Sequence, residues 1–371
     1  MRKLASIRRI GDIQPIPTAD QIVCATVDGW KAVIKKDEFH VNEVIIYAEI
    51  DSWIPHEVAP FLSKGKEPRV YNDIKGERLR TVNLRGQISQ GLILPLSLIK
   101  DKLIELQLLL TDESNLDTLL GYDVTELLGI QKYEPILYER YVPKTKDGKA
   151  IPPLGKPFPS FFPKTDQERI QNLAGNLNYY KTSAFTWEVT EKLDGCSVTF
   201  YYLAESDVFG VCSRNLDLYP LSEDTPTNSP ARLYWGMAEQ LNILNLFRSA
   251  NRSIAIQGEI IGEKIQGNLY KLKNQKQFYV FDIYDIPTGK YFSPIERREF
   301  CEMFGLLHVP VLETHIVIPM EKTIDEMLKE AEGFSVISNK PNTEREGLVF
   351  KCNDRNSSFK CISNKFLLSH E

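Results

Sequence analysis

Cysteine and histidine are scarce in this chain, and neither is spaced for a metal site or a disulfide framework. The 371 residues include 6 cysteines and 5 histidines, with no C-x-x-C pair and no H-x-x-x-H spacing. Structural zinc sites need closely spaced cysteine and histidine ligands, so we expect none here. Disulfide frameworks belong mainly to small secreted domains. We therefore expect reduced thiols in an intracellular, cytoplasmic protein, with a nuclear location left open.

Long apolar runs and an excess of positive charge are also missing. No stretch approaches the roughly 20 apolar residues of a membrane-spanning helix. The basic start of the chain lacks the apolar core of a signal peptide, so we expect no membrane association. The formal net charge is -5, which argues against a protein that coats DNA. An enzyme that acts on nucleic acid through a local basic groove is still compatible with this charge.

The length and the distribution of proline indicate more than one domain. At roughly 150 residues per domain, the chain has room for two or three. Proline is dense between about residues 133 and 164, where a helix or a central strand would not tolerate it. We predict an extended linker there, and an ordered strap packed across a domain interface is the alternative. The predicted divisions are residues 1–132, a linker with a short helix at 133–178, and a second domain at 179–371.

The first domain is predicted to be a small β-barrel. Ile22–Val27 and Trp30–Ile34 are short apolar stretches joined by Asp28-Gly29, a strong hairpin signal. Several such stretches within about 100 residues favour a small barrel or a sandwich, and small barrels of the OB type often bind nucleic acid. A group of basic residues could contact phosphates there or could simply form a solvated rim. They are Lys64, Lys66, Arg69, Arg78, Arg80 and Arg85.

The second domain is predicted to be α+β, and it contains the sharpest chemical signal. Capping-box patterns at Ser293 and Thr323 predict two of its helices. In the segment Glu191-Lys192-Leu193-Asp194-Gly195, a lysine ends one strand and a tight Asp-Gly turn precedes the next. This arrangement places an amine at a sheet edge or at the mouth of a cleft. Taken alone, the segment favours an exposed hairpin lysine over a functional one.

The lysine segment resembles the nucleophile motif of the covalent nucleotidyltransferases, which include ATP-dependent polynucleotide ligases and mRNA capping enzymes. Five further segments resemble the later motifs of that superfamily and follow in the same order. They are Ser213-Arg214-Asn215, Gly258-Glu259, Phe278-Tyr279-Val280-Phe281-Asp282-Ile283, Arg345-Glu346-Gly347-Leu348-Val349-Phe350-Lys351 and Ser358-Phe359-Lys360-Cys361-Ile362.

Segments of the N-terminal half narrow the resemblance to ATP-dependent RNA ligases of the Deinococcus and Naegleria type. The similar segments are Pro15-Ile16-Pro17-Thr18-Ala19-Asp20, Val27-Asp28-Gly29-Trp30, Glu49-Ile50-Asp51-Ser52 and Leu84-Arg85-Gly86-Gln87-Ile88-Ser89-Gln90-Gly91-Leu92. The resemblance implies an α+β protein in which an N-terminal OB-like β-barrel precedes an antiparallel-sheet nucleotidyltransferase domain. It also implies sealing of RNA ends, with nicked duplex RNA as the expected partner of a monomeric enzyme.

Lys192 is the nucleophile that the resemblance implies, attacking the α-phosphate of ATP to form lysyl-AMP. Because a free lysine has a pKa near 10.4, we expect its pKa to be lowered by about three units. Burial, Lys360 and a bound divalent metal are the expected causes. Lys360 is also expected to neutralise the α-phosphate. The wider group often has a second lysine two positions later, but this chain has Ile362 there.

The resemblance assigns the remaining site residues to nucleotide and metal binding. Phe281 is expected to stack on adenine and Arg214 to bind a phosphate, with Glu191 beside the nucleophile as a further ATP-binding residue. Carboxylates are hard oxygen ligands that suit magnesium or manganese, often through water. The expected metal ligands are Asp194, Glu259 and Glu346. Glu259 and Glu346 also belong to the expected ATP-binding set, since Glu259 is the alternative ligand of the ribose.

Lys164 gives rise to a separate hypothesis. It precedes Thr165-Asp166-Gln167-Glu168, which matches a capping box and predicts a helix N-terminus. Free N–H groups at such an end favour anions. Lys164 and Arg169 are therefore predicted to hold the β- and γ-phosphates of ATP, and simple linker solubility is the alternative.

Two other functions remain compatible with the sequence. One is another covalent nucleotidyltransferase, either a DNA ligase or a GTP-dependent capping enzyme. These enzymes usually carry an OB domain after the fifth motif, and only about ten residues follow Lys360 here. The other is a non-catalytic OB-fold module that binds RNA. It would predict loss of the nucleophile or the carboxylates, yet all are present.

Overall fold

The computed structural model describes residues 3–17, 19–134, 153–273 and 275–370. These residues form two compact units. The first contains the described chain up to residue 134, Ile170–Gly175 and residues 367–370, and the second contains residues 153–169 and Asn176–Phe366. Much of the proline-rich segment predicted as a linker, residues 135–152, lies outside the described residues. In the described part of the chain, no helix has the length and apolar character needed to cross a membrane.

The first unit consists mainly of short antiparallel strands. They are β1 (Ala5–Arg9), β2 (Asp12–Pro15), β3 (Ile22–Val27), β4 (Trp30–Lys35), β5 (Val44–Ala48), β6 (Ser52–Pro55), β7 (Arg69–Tyr71), β8 (Ile74–Arg78), β9 (Val82–Leu84), β10 (Gln87–Ser89), β11 (Leu92–Pro95) and β12 (Gln131–Lys132). One helix, α1 (Lys100–Glu105), and three 3-10 turns (Pro60–Ser63, Leu96–Leu98 and Leu116–Leu119) accompany them. The strand orders are β1-β5-β11, β2-β3-β4, β9-β10 and β12-β6-β8-β7. The predicted all-β character is confirmed, but the strands form separate sheets rather than one closed barrel.

The predicted hairpin at Asp28-Gly29 is present, and it anchors a segment from later in the chain. Val27 pairs with Trp30 across a two-residue turn, and Trp30 is fully buried. The Trp30 indole Nε1 donates to Asn172 Oδ1 at 2.7 Å, and Asn172 Nδ2 donates to Glu49 Oε1 at 2.7 Å. These bonds satisfy a buried indole and a buried carboxylate, so they bind the segment Ile170–Gly175 firmly to this unit.

The second unit mixes strands with helices. The strands are β13 (Gly155–Pro157), β14 (Glu168–Arg169), β15 (Trp187–Lys192), β16 (Cys196–Leu203), β17 (Val208–Cys212), β18 (Leu216–Leu218), β19 (Ile254–Gly262), β20 (Lys276–Asp285), β21 (Lys290–Tyr291), β22 (Leu307–His308), β23 (Val311–Ile316), β24 (Gly347–Cys352) and β25 (Ser358–Ile362). The helices are α2 (Leu177–Tyr180), α3 (Ala231–Gln240), α4 (Ile243–Ala250), α5 (Pro294–Phe304), α6 (Ile324–Ala331) and the start of α7 (Asn364–His370), with 3-10 turns at Ala204–Ser206 and Gln266–Asn268. A further 3-10 turn, Ile170–Asn176, and the end of α7 belong almost entirely to the first unit.

Two sheets organise the second unit. The larger has the order β13-β18-β17-β16-β19-β20-β21, with β22 pairing to β20, and the smaller has the order β14-β25-β24-β15-β23. The pairs β14–β25 and β20–β22 are parallel. Apolar side chains from the larger sheet and from α3, α4 and α5 form the main core. The predicted α+β class is confirmed, as are the capping boxes at Ser293 and Thr323.

The capping box predicted at Thr165 is wrong. No helix begins there; instead, Glu168 and Arg169 form β14 and pair with Phe359 and Lys360 of β25. Pairing at a sheet edge satisfies the backbone groups that a helix would have used, and a four-residue pattern does not distinguish the two outcomes. Residues 155–157 likewise pair with β18. The proline-rich stretch is therefore ordered within the second unit from residue 153 onward.

A buried group of charged side chains connects strands and a helix of this unit. Arg297 of α5 pairs with Glu188 of β15, and both side chains are almost fully buried. Arg297 Nε donates to His308 Nε2 at 2.8 Å, so the histidine proton lies on Nδ1, which donates to the Val309 carbonyl at 2.5 Å. Burial, reinforced by the Arg297 charge, lowers the pKa of His308 to about 3. His308 is therefore neutral in the folded protein at every pH above that value.

We predict that His308 makes the fold sensitive to acid. The pKa of His308 is about 3 in the folded protein, against an ordinary value of 6.5. As the pH falls between these values, the unfolded chain therefore binds a proton at His308 that the folded chain does not bind. The free energy of unfolding should therefore decrease over that range. In His308→Gln, whose side-chain oxygen can still accept from Arg297, the decrease measured by urea denaturation from pH 7 to pH 4 should be smaller. An equal decrease in the free energy of unfolding for wild type and His308→Gln would contradict the low pKa of His308.

Candidate active site

One face of the smaller sheet of the second unit collects several of the predicted site residues. Residues paired in register share a face, as do residues two apart on a strand. Lys192 of β15 pairs with Gly347 of β24, which pairs with Ile362 of β25. Lys360 lies two residues before Ile362, and Arg169 of β14 pairs with Lys360. Lys192, Lys360 and Arg169 therefore lie on the same face.

Close backbone packing fixes the turn that follows Lys192. A Cβ atom at Gly195 would lie 2.3 Å from the Ile260 carbonyl oxygen, far closer than a real contact. At Gly347, opposite Lys192, a Cβ would lie 2.2 Å from the Cys361 carbonyl oxygen. Glycine is required at both positions because neighbouring strands approach so closely. The glycine of the lysine motif therefore holds the turn against β19, the strand that carries Glu259.

The amine of Lys192 is paired with a carboxylate. Lys192 Nζ lies 2.6 Å from Glu346 Oε2, with 24% and 15% of the two side chains exposed. Arg345, the residue before Glu346, donates to three backbone carbonyls at the C-terminal end of α6 at 2.6 to 3.1 Å. Positive side chains are favourable at a helix C-terminus. Arg345 thus fixes the backbone from which Glu346 reaches Lys192, a role that the sequence motif did not reveal.

The electrostatics of this cluster differ from the expectation for Lys192. Burial acts to lower the pKa of Lys192, but Glu346, Glu259 and Asp194 together outweigh it and raise the pKa. Burial also raises the pKa of Glu259 to about 8 and that of Asp194 to about 7, and the Glu346 charge adds to both shifts. In the protein without metal or ATP, the pKa of Lys192 is therefore raised and not lowered. The nearby carboxylates favour the protonated form of the amine.

The predicted metal ligands form a suitable donor set without forming a closed cage. Asp194, Glu259 and Glu346 offer hard oxygen atoms, and their mutual effect on pKa places them close together. Within the described ranges, no group of three or more His, Cys, Asp or Glu side chains is arranged to enclose a metal ion. This arrangement fits magnesium or manganese, because such ions commonly keep several waters and share substrate phosphates.

Tyr270 positions the carboxylate of the lysine turn and was not identified from the sequence. Its buried hydroxyl accepts a hydrogen bond of 2.6 Å from the Asp194 backbone N–H. Its own carbonyl accepts from the Asn339 backbone N–H at 3.0 Å. Tyr270 therefore links the turn before β16 to the loop before β24. It lies in no recognisable motif, so only the structure reveals it.

A bulge in β20 presents Phe281. Gln257 of β19 pairs with Asp282, but the next residue, Gly258, pairs with Val280, so Phe281 is the extra residue. Bulges of this kind re-aim side chains beside active sites. The Phe281 ring packs in the apolar cluster that contains Leu193, directly after the lysine. The structure therefore brings the predicted adenine-binding ring next to the lysine turn.

Lys351, the last residue of the fourth motif, holds the bulge in place. Its buried amine donates to the Phe281 carbonyl and to Asp282, and lies 5.8 Å from the Phe281 ring centre. Burial lowers the pKa of Lys351 to about 8. The sequence motif contains this lysine, but motif resemblance assigned it no role. The structure gives it the role of fixing the backbone that presents Phe281.

The other predicted phosphate ligands fall into two groups. Arg214 pairs with Asp166 at 2.7 Å, and Lys164 Nζ donates to Asn215 Oδ1 at 3.3 Å, so the two cations lie around the same turn. Arg169 instead lies beside Lys360, as the strand pairing requires. The joint role predicted for Lys164 and Arg169 on the ATP phosphates stays a prediction.

Glu191 lies on the opposite side of β15 from Lys192, because neighbouring strand residues alternate between faces. It is buried, and its Oε2 accepts a hydrogen bond of 3.0 Å from the Val336 backbone N–H. Burial raises its pKa. Glu191 therefore ties β15 to the loop before β24 and does not share the face of the lysine amine.

Comparisons with known proteins found matches for both halves of the chain. A family model described as RNA ligase matches residues 185–362, and a model of an OB-fold domain matches residues 4–96. The second match confirms the predicted OB-like character of the N-terminal half. A search of curated proteins found no match.

Solved structures of a Naegleria gruberi RNA ligase match the whole chain. The form with PPi is 40% identical and has a TM-score of 0.82, covering 100% of this chain and 99% of that chain. An apo mutant is 39% identical with a TM-score of 0.82, covering 100% and 98%. A mutant with AMP and Mn is 40% identical with a TM-score of 0.79, covering 99% and 98%.

We predict that Tyr270→Phe destabilises the second unit by about 1 kcal/mol or more, because the Asp194 N–H loses its acceptor in a partly buried place. Tyr279→Phe is the matched control, since in the described part of the chain its hydroxyl bonds to the nearby side chain of Gln277 and to no backbone group. Urea denaturation of both variants measures the difference. An equal, small decrease in the free energy of unfolding in both variants would show that the Tyr270 hydroxyl does not stabilise the turn at Asp194.

Proposed function

The chain belongs to the RNA ligase family, and from that membership we propose that it joins a 3′-hydroxyl to a 5′-phosphate of RNA in an ATP-dependent reaction. The observation that carries this proposal is the Lys192 amine, 2.6 Å from Glu346 and flanked by Asp194 and Glu259. A largely buried amine among carboxylates suits a covalent nucleophile, because the neighbouring carboxylates set its protonation state.

In the first step, Lys192 Nζ attacks the α-phosphorus of ATP. A phosphorus–nitrogen bond forms, the bond to the bridging oxygen breaks, and pyrophosphate leaves with the electron pair. The amine must first lose a proton, and Glu346 lies close enough to accept it. A magnesium or manganese ion, when bound by Asp194, Glu259 and Glu346, supplies positive charge that weakens their hold on this proton and offsets charge on the phosphates.

Cationic side chains on the lysine face would neutralise the reacting phosphate. Lys360 and its neighbour Arg169 share that face with Lys192, which supports an α-phosphate role for Lys360. Lys164 and Arg214, around the second turn, are proposed to bind the outgoing β- and γ-phosphates. Phe281 would stack on adenine beside the lysine turn. Glu191 would act from the other side of β15 by shaping the nucleotide pocket.

The later steps transfer AMP to RNA and then release it. The 5′-phosphate oxygen of RNA attacks the phosphorus of lysyl-AMP, and Lys192 leaves as an amine. The 3′-hydroxyl then attacks the activated 5′-phosphate, forming the phosphodiester and expelling AMP. We propose nicked duplex RNA as the substrate and RNA repair as the process in which it is sealed. Action as a monomer and a cytoplasmic location remain predictions.

We predict that the wild-type chain forms a covalent adduct with α-labelled ATP and a divalent metal, and that Lys192→Ala forms none. Lys276→Ala, which removes an exposed lysine from the start of β20, is the matched control and should be labelled like the wild type. Denaturing gels report the adduct. Labelling by GTP instead of ATP would favour a capping enzyme. Absence of an adduct from folded protein, even after pyrophosphate treatment to remove prior AMP, would contradict the proposal.

Lys164→Ala should weaken ATP use in the first step. Loss of one charged contact to a phosphate costs about 1.5 kcal/mol, so we expect a rise of about tenfold in the KM for ATP. Sealing of RNA that already carries AMP at its 5′ end should not change, because no triphosphate is present in that reaction. Unchanged adenylylation kinetics would show that Lys164 serves only solubility.

A further inference from the structure

A segment of the second unit, residues 158–167, connects its two sheets, and we call it the bridging segment. It begins after β13, which pairs with β18 at one edge of the larger sheet. It ends at β14, which pairs with β25 at one edge of the smaller sheet. Lys164, to which a role on the ATP phosphates is assigned above, lies within it. The position of this lysine therefore depends on what holds the bridging segment in place.

The face of the larger sheet that carries Glu259 offers two anchors for this segment. Ser197 of β16 pairs with Glu259 of β19, and Gln257 lies two residues before Glu259 on the same strand. Residues with this relation lie on one side of a sheet. The alternate residues, Val198 and Ile256, lie in the main core on the opposite side. Ser197, Gln257 and Glu259 therefore share the face that is turned away from the main core.

Two hydrogen bonds fix the bridging segment to this face, one on each side of Lys164. Gln257 Nε2 donates to the Pro163 carbonyl oxygen at 2.9 Å. The hydroxyl oxygens of Thr165 and Ser197 lie 3.1 Å apart, which is also hydrogen-bond distance. Because Pro163 and Thr165 are the chain neighbours of Lys164, the backbone of this lysine is held at both ends.

The bond from Gln257 is one that stability alone does not explain. The side chain is fully buried, and its Oε1 atom has no hydrogen-bond partner in the part of the chain that the structure describes. A buried amide oxygen without a partner is unfavourable. Pro163 is exposed, so water can reach its carbonyl oxygen if the bond is lost. An apolar side chain of similar length would therefore suit the fold at least as well as Gln257 does.

The cations around the bridging segment lie near Glu259. Arg214 pairs with Asp166 of this segment at 2.7 Å. Burial is the main cause of the raised pKa of Glu259, and the Arg214 charge acts on it in the opposite direction, which places Arg214 nearby. Lys164 Nζ donates to Asn215, the residue after Arg214. The bridging segment thus brings its own lysine to the turn where Arg214 lies.

We propose that Gln257 is a positioning residue for the triphosphate of ATP, with Ser197 as its second anchor. By holding the backbone on both sides of Lys164, the two side chains place its amine where the β- and γ-phosphates would lie. The inference rests on the proposed function, because it acts through the phosphate contact assigned to Lys164. The alternative is that the bridging segment only ties the two sheets together.

A double-mutant cycle separates these two roles. Gln257→Met keeps the length of the side chain and removes both polar atoms, and it is combined with Lys164→Ala. Ser197→Ala, a smaller change, is tested in the same way. The readouts are kcat and KM for adenylylation of Lys192 by ATP, sealing of nicked duplex RNA that already carries AMP, and the urea midpoint of unfolding. Gln240→Met is the matched control, because Gln240 is exposed on α3, a helix that packs on the opposite face of the larger sheet.

We expect the KM for ATP to rise about fivefold in Gln257→Met, about threefold in Ser197→Ala and about tenfold in Lys164→Ala. Either anchor variant combined with Lys164→Ala should also show a rise of about tenfold, because the same phosphate contact is lost. The kcat for adenylylation and the sealing of adenylylated RNA should stay within about twofold of wild type. The urea midpoint of Gln257→Met should not fall, and Gln240→Met should match the wild type throughout.

An unchanged KM for ATP in folded Gln257→Met would overturn the proposal, as would a rise of about fiftyfold when it is combined with Lys164→Ala, since independent effects multiply. Equal losses in adenylylation and sealing, with a lower urea midpoint, would assign the bond to the structural tie. If Gln257→Met does not fold, the same comparison with Ser197→Ala decides. A normal KM for ATP in Lys164→Ala, or a wild-type protein that forms no adduct, would overturn the proposed function itself.

Discussion

The ion pair between Lys192 and Glu346 is the interaction on which the rest of the site depends. It joins the end of β15 to the residue before β24, so the register of the smaller sheet brings the two side chains within 2.6 Å. Glu346 contributes most to the raised pKa of the amine, and Glu259 and Asp194 act in the same direction when they are ionised. In the proposed reaction, a metal ion bound to these carboxylates would weaken their hold on the proton, so the lysine would become a nucleophile only when metal and ATP are present.

Strand pairing explains how distant segments of the chain reach one face of the smaller sheet. Arg169, Lys360 and Lys192 come from three strands, yet register places them on one face. The bulge in β20 adds an aromatic ring beside them, and the buried Lys351 holds that bulge.

The sequence predicted the parts of this account that depend on local pattern or on motif order. The Asp28-Gly29 hairpin, the capping boxes at Ser293 and Thr323 and the α+β class were all predicted correctly. The capping box at Thr165 was wrong, because pairing with a distant strand prevailed over local preference. Tyr270 was missed, since its partner Asp194 is 76 residues away in sequence. The pKa of Lys192 in the protein without metal could not be predicted from the sequence, because it depends on carboxylates that only the fold brings together; the lowered pKa expected with a bound metal stays a prediction.

The most direct test of this account is to find where AMP becomes attached. Wild-type protein labelled with ATP and a divalent metal is digested, and the modified peptide is sequenced by mass spectrometry under conditions that preserve phosphorus–nitrogen bonds. The account predicts AMP on the side chain of Lys192 and on no other lysine. AMP on Lys351 or Lys360, or a labelled protein that keeps its label when Lys192 is replaced, would contradict it.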